Sequence, residues 1–117
     1  DIVTVSEDEI AAAVLLLLEK EKTVVEGAGA TSLAAVMSGK IPYLKNPHRR
    51  AALLLSGGNI DVTVMNDIIS RGLVKTGRLV RLRVEVPDQP GELVRALQVI
   101  STQMRANIQE IGTDMRG

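Results

Sequence analysis

Cysteine is absent from this chain of 117 residues, which excludes a disulfide framework, a thiolate metal site and a cysteine nucleophile. His48 is the only histidine, too little for a histidine cluster, so no metal site is expected. Aromatic residues are reduced to Tyr43, with no Phe or Trp, and the core has to be filled by aliphatic side chains. The same lack counts against single-stranded nucleic-acid binding, which leans on aromatic stacking platforms. Charge of one sign is also missing: 14 Lys and Arg balance 14 Asp and Glu. That balance removes the overall pull toward phosphate backbones or anionic bilayers, so neither nucleic acid nor membrane is expected as a partner. The longest apolar run, residues 10–18, is too short to span a bilayer, and no basic segment precedes a hydrophobic one at the start. The expected location is the cytoplasm.

What is present describes a globular protein, 45% hydrophobic and 24% charged, long enough for about one domain or two half-domains. Ile2, Val3 and Val5 make a strand-like opening, and Ser6 with Glu9 three residues on forms a capping box that predicts a helix start. Ile10, Val14, Leu17 and Leu18 follow at helical spacing, which predicts one buried face, and the charges at 19–22 end the apolar stretch. Small residues at Gly27-Ala28-Gly29-Ala30 permit close backbone approach. Leu33, Ala34 and Met37 continue a tightly packed helix stopped by Gly39. Residues 40–50, with Pro42, Asn46, Pro47, His48, Arg49 and Arg50, read as a solvent-facing loop.

The continuous apolar run at 51–55 has the character of a strand covered on both faces in a parallel sheet. Ser56-Gly57-Gly58-Asn59 follows it, then Asp61 caps a helix with Val62, Met65, Ile68 and Ile69 on one side and Gly72 as its stop. Beyond a junction at 72–78, residues 80–86 alternate charged and apolar side chains as a half-exposed strand does. A turn with Pro87, Asp88, Pro90 and Gly91, a stripe of Leu93, Leu97 and Ile100, and alternation over 108–114 complete a second β-α-β unit. The predicted fold class is α/β: a partial parallel-sheet piece over 1–78, followed by a β-α-β half domain over 79–117. Asp1 is not Met, a strand-like segment starts at once, and both ends read as interior to a longer protein.

Ser56-Gly57-Gly58-Asn59 lies at the C-terminal end of the predicted buried strand, where open α/β sheets place ligands. The glycines let a flat or anionic ligand approach the backbone, and the hydroxyl can donate one hydrogen bond and accept others. A plain tight turn is the competing reading. Glu26 lies between two valines and four small residues, where burial would suit its carboxyl to acid/base work. A solvated glutamate favoured by a helix dipole is the alternative there.

Four phrases in order, 1–6 with Glu9-Ile10, Val24-Val25-Glu26-Gly27-Ala28-Gly29-Ala30, Leu55-Ser56-Gly57-Gly58-Asn59-Ile60-Asp61 and Ile69-Ser70-Arg71-Gly72-Leu73, resemble the threonine dehydratase (threonine ammonia-lyase) family. These are fold-type II enzymes dependent on pyridoxal phosphate, and the resemblance covers the end of their catalytic domain. It implies that Ser56 meets the pyridine nitrogen of the cofactor, with Gly57, Gly58 and Asn59 beside it and Glu26 on the cofactor side. It also implies conversion of L-threonine, and often L-serine, by elimination and deamination in the complete enzyme. The family's Schiff-base lysine and phosphate-cradling loop have no match here. Lys20, Lys22, Lys40, Lys45 and Lys75 all sit in charged or loop contexts, so no catalytic residue is assigned and no cofactor is expected on this chain alone.

Asp88-Gln89-Pro90-Gly91-Glu92-Leu93 and Ala106-Asn107-Ile108 resemble the opening of an ACT-type regulatory domain. The resemblance implies an effector site at Asp88, Pro90, Gly91, Glu92, Leu93 and Asn107, where free amides at a helix start hold an amino-acid carboxylate. Isoleucine, valine, threonine or serine would be the effector. Half a unit of this kind exposes sheet edges, which predicts a homo-oligomer. The competing function is a stand-alone amino-acid-binding or oligomerisation module.

Overall fold

The computed structural model describes residues 1–114. Its first helix, α1 (Glu7–Leu16), begins where the sequence supplies both halves of a cap. The Ser6 hydroxyl accepts from the Glu9 N–H at 3.2 Å, and the Glu9 carboxylate accepts from the Ser6 N–H at 2.7 Å. Two otherwise orphaned amides are satisfied, and Glu7, Asp8 and Glu9 place negative charge at the positive end of the helix dipole. α1 runs into a π-helical turn (Leu17–Glu21) that ends at Lys22, held at φ 55 with its ammonium donating to the Glu19 carbonyl at 2.7 Å.

Burial along α1 differs from the expected single stripe. Ala11, Ala12, Ala13, Val14 and Leu15 are buried in succession, because α1 packs against both α2 (Thr31–Met37) and α3 (Val62–Lys75). Ala13, Val14, Leu17, Val25, Ala30 and Ala34 form the core, with Val5, Ile10, Leu33, Met65 and Ile68 packed on it. Alanine at these positions lets helices approach closely and leaves little side-chain volume to fill.

α3 starts on Asp61, whose carboxylate accepts from the Thr63 N–H at 2.8 Å and from the Thr63 hydroxyl. The Thr63 hydroxyl, and then its N–H, hold the Asp61 carboxyl below its ordinary range. The expected stop at Gly72 is overturned. α3 continues through Gly72 to Lys75, and Gly77 at φ 73 follows its Thr76 C-cap. Gly72 serves a different need: a Cβ there would lie 2.9 Å from the Ala11 carbonyl oxygen and 3.0 Å from Leu15 Cβ. The glycine makes room for α1. Gly39, at φ 69 one residue beyond the Ser38 C-cap, ends α2 as the sequence predicts.

The connection over 40–50 is mostly exposed and contains a 3-10 turn (Pro42–Lys45). Its Arg49 guanidinium lies 4.7 Å from the Tyr43 ring centroid and donates to the Tyr43 hydroxyl at 3.2 Å.

The α/β fold class is corrected: the described residues contain helices and no strand, so neither the parallel-sheet piece nor the β-α-β half domain is formed. The segments expected as strands, 2–5, 51–55, 79–86 and 108–114, belong to no ladder. Ile2, Leu54 and Val80 are 94, 84 and 68% exposed. Period and β-branching mark a strip that suits a sheet, but a strand exists only through hydrogen bonds to a neighbour. One backbone bond, from the Glu26 N–H to the Gly57 carbonyl at 2.8 Å, joins the segment before α2 to the turn that follows residues 51–55, and it builds no ladder.

The chain divides into two compact units, Asp1–Arg81 and Leu82–Gly117. In the first, Arg78 donates to both Glu19 carboxylate oxygens at 2.9 and 2.6 Å, tying the segment after α3 to the middle of the π-helical turn. The second holds α4 (Glu92–Gln98), a π-helical turn (Val99–Gln103) and an exposed Arg83–Asp114 ion pair at 3.4 Å. No described residue of it is buried. The end of the expected 79–117 unit, residues 115–117, lies outside the described residues.

The start of the chain is tied to the end of α2 by Lys40, whose ammonium donates to the Thr4 carbonyl at 3.0 Å and to Glu9 at 2.8 Å. The Lys40 hydrogen bond, then the Ser6 amide, lower the Glu9 carboxyl from 4.5 to about 2. A carboxyl depressed on folding stabilises the fold fully above its unfolded value. Its contribution is lost as pH falls from 4.5 to about 2. Urea melts of the wild type should therefore weaken across that window, and Lys40→Met should flatten the loss. Parallel acid limbs for the two proteins would exclude Lys40 as the cause.

Candidate functional site

The candidate residues of the first unit meet at one place. The segment after Val25 turns through Gly27 into a 3-10 turn (Ala28–Ala30) that starts α2, and the strip at 56–58 lies against it. Glycine makes this approach possible on both sides. A Cβ on Gly29 would fall on the Ser56 peptide, 2.6 Å from its carbonyl carbon and 3.0 Å from its nitrogen. A Cβ on Gly57, which has φ 80, would lie 2.6 Å from Glu26 Cγ and closer still to its carboxyl group. Gly58 is looser, its Cβ position 3.4 Å from the Val24 carbonyl oxygen.

Glu26, Ser56, Gly57 and Gly58, which the sequence proposes from segments thirty residues apart, are thus side by side, with Asn59 adjoining in the chain. Glu26 is partly exposed, and the burial expected from its valine neighbours falls instead on Val25, at 3% exposure. Ser56 is exposed, and no hydrogen bond to another described residue engages its hydroxyl. The site is an open surface edge. Depressions of ≈ 320 and ≈ 220 Å³ elsewhere in the first unit are lined by neither Glu26 nor Ser56.

Gly29 is the residue that sequence reading missed as a partner of Ser56. The run of small residues around it signals a close approach, but nothing in the run names what approaches. All five lysines are exposed. Lys22 is bonded to the Glu19 carbonyl and Lys40 to Glu9, so none has the desolvated setting that activates an amine nucleophile. Among the described residues no group of His, Asp or Glu is arranged to hold a metal ion, and no helix is long and apolar enough to cross a membrane.

In the second unit, Asp88, Pro90, Gly91, Glu92 and Leu93 form the turn into α4. Gly91 is its N-cap at φ 90, with no side-chain cap. The Glu92 N–H donates to the Gln89 carbonyl at 3.3 Å, so one of the amides expected to be free is taken. Asn107 is exposed, and no hydrogen bond joins it to that turn.

The chain is similar to curated proteins over nearly its whole length. It is 43% identical over 116 residues to the L-threonine ammonia-lyase of Geobacter sulfurreducens, covering 99% of this chain and 28% of the relative. It is 44% identical over 108 residues to the L-threonine ammonia-lyase of Thermotoga maritima, covering 92% and 26%. A catabolic L-threonine dehydratase of Escherichia coli is 46% identical over 69 residues, 58% of this chain and 20% of that protein. The chain therefore spans little more than a quarter of the length of the first two relatives. No protein-family profile matches the chain, and no solved structure does.

Proposed function

We propose that the chain is a segment of an L-threonine ammonia-lyase, a cytoplasmic enzyme dependent on pyridoxal phosphate that in complete form converts L-threonine to 2-oxobutanoate and ammonia. The observation that carries this reading is the end-to-end similarity to two enzymes of that name. The juxtaposition of Glu26 with the Ser56 turn adds to it, because it builds one edge of a site from the motifs that resemble the family.

The residues present fit that edge of the cofactor. When bound, pyridoxal phosphate supplies the electron sink that makes elimination from an amino acid feasible. Ser56 would meet the pyridine nitrogen with a neutral hydroxyl, so this chain adds no carboxylate proton donor at that atom. Gly57 and Gly58 keep side chains out of the way, and Asn59 adjoins them. Nothing in the chain answers for the anchoring lysine or the phosphate loop, so the segment alone is read as inactive.

The ACT-like reading of the second unit and its amino-acid effector belong to the same proposal. A stand-alone module is the weaker reading, since no described residue of the second unit is buried to frame a pocket within this chain. Self-association through the exposed second unit is part of the proposal, and a strictly monomeric mass in light scattering on the purified chain would count against it.

The decisive experiment is a chimera in which the 116 aligned residues of this chain replace the matching part of the Geobacter sulfurreducens relative. It should fold, bind pyridoxal phosphate and release 2-oxobutanoate from L-threonine, while the 117-residue chain releases none. A folded, cofactor-loaded chimera without oxo-acid release would refute the reading. Release by the 117-residue chain itself would overturn its inactivity.

A further inference from the structure

Gly57 and its neighbour Gly58 form a turn with little conformational preference of its own, since glycine populates left-handed and right-handed backbone alike. Something outside the turn has to hold Gly57 at φ 80. Glu26 is placed to do so in two ways. Its N–H donates to the Gly57 carbonyl, and its side chain doubles back across the open face of the same residue, with Cγ 2.6 Å from where a methyl would stand. The carboxylate forms no ion pair and no hydrogen bond with another described residue, so its contact with the turn is one of packing. Gly29 receives the Ser56 peptide at the adjoining position, so the Ser56–Gly57 backbone lies along one segment, residues 26–29, while the Ser56 hydroxyl stays unengaged.

We propose that Glu26 is a positioning residue: packed over Gly57, it holds the turn that fixes where the Ser56 hydroxyl is presented. Its functional consequence, a hydroxyl aimed at the pyridine nitrogen, rests on the ammonia-lyase reading; the clamp itself does not. The charge is dispensable in this arrangement and the side-chain stem is not.

Glu26→Gln keeps the stem and Glu26→Ala removes it. In the 117-residue chain, amide exchange at residue 26 should be about tenfold faster in Glu26→Ala and unchanged in Glu26→Gln, as expected when one backbone hydrogen bond is loosened. Gly57→Ala supplies the sharper test. Strain at φ 80 destabilises that variant in any background, but the clash with residue 26 is present only while the glutamate side chain is there. The loss in unfolding midpoint caused by Gly57→Ala should therefore be smaller in the Glu26→Ala protein than in the wild type. Equal losses in the two backgrounds would overturn the clamp. In the chimera, Glu26→Ala should weaken pyridoxal phosphate binding about tenfold, with Glu26→Gln restoring it. If the clamp signature holds and cofactor affinity does not move, the assignment of Ser56 to the cofactor is what fails.

Discussion

Replacing Gly72 with leucine is expected to destabilise the first unit by about 3 kcal/mol, the upper part of the range for over-packing a filled interior. The added atoms have no free direction. The first of them would already stand 2.9 Å from the Ala11 carbonyl oxygen and 3.0 Å from Leu15, on the helix that carries five successive buried residues. Alanine at the same position sets two effects against each other. Removing a glycine from a helix interior stabilises by about 1 kcal/mol, while forcing α1 and α3 apart costs about 1–3 kcal/mol. The net expectation for Gly72→Ala is a loss of at most about 2 kcal/mol, well short of the leucine variant. Urea unfolding followed by far-ultraviolet circular dichroism reads both. A leucine variant as stable as the wild type would mean that Gly72 does not set the spacing of the two helices.

Gly29→Ala is expected to separate the two strips at the candidate site. Its methyl would occupy the Ser56 peptide, and backbone cannot yield as the end of a long side chain can. Either the Glu26–Gly57 hydrogen bond breaks or α2 shifts, so the expected loss is about 2–4 kcal/mol from over-packing and the lost bond together. Amide signals should move around 24–30 and 55–59. Gly39→Ala is the control, because Gly39 is exposed and has φ 69 with open space around its Cβ position. Backbone strain of about 1–2 kcal/mol is all it should show. Similar losses and similar spectral changes for the two variants would mean that the close approach at Gly29 has no energetic weight.

Local rules in the sequence carried over well. The Ser6–Glu9 box, the Asp61 cap and the Gly39 terminator depend on residues within a few positions of each other, and each forms where the sequence places it. Gly72 misled for a related reason. Glycine in a helical pattern can end the helix or make room for a neighbour, and only the position of Ala11 on another helix decides between them. The β-type segments failed more completely. Residues 51–55 carry the composition of a doubly covered strand, yet composition describes a demand for neighbours and cannot supply them. The site was half legible: the motifs at Glu26 and at Ser56 to Asn59 were evident, and their meeting was implied only by the family resemblance. The Gly29 and Gly57 contacts that bring them together depend on a tertiary approach with no sequence periodicity.

The stacked pair of Tyr43 and Arg49 bears on how this chain can be watched. Tyr43 is the sole natural fluorophore, it is 55% exposed, and it lies in the loop before residue 51 under a guanidinium. Its emission reports the state of that loop, while α1 and the alanine-lined core contain no aromatic residue and are optically silent in the near ultraviolet. A fluorescence transition and a circular-dichroism transition in this protein follow different events, and a gap between them would measure how independently the loop lets go of the helices.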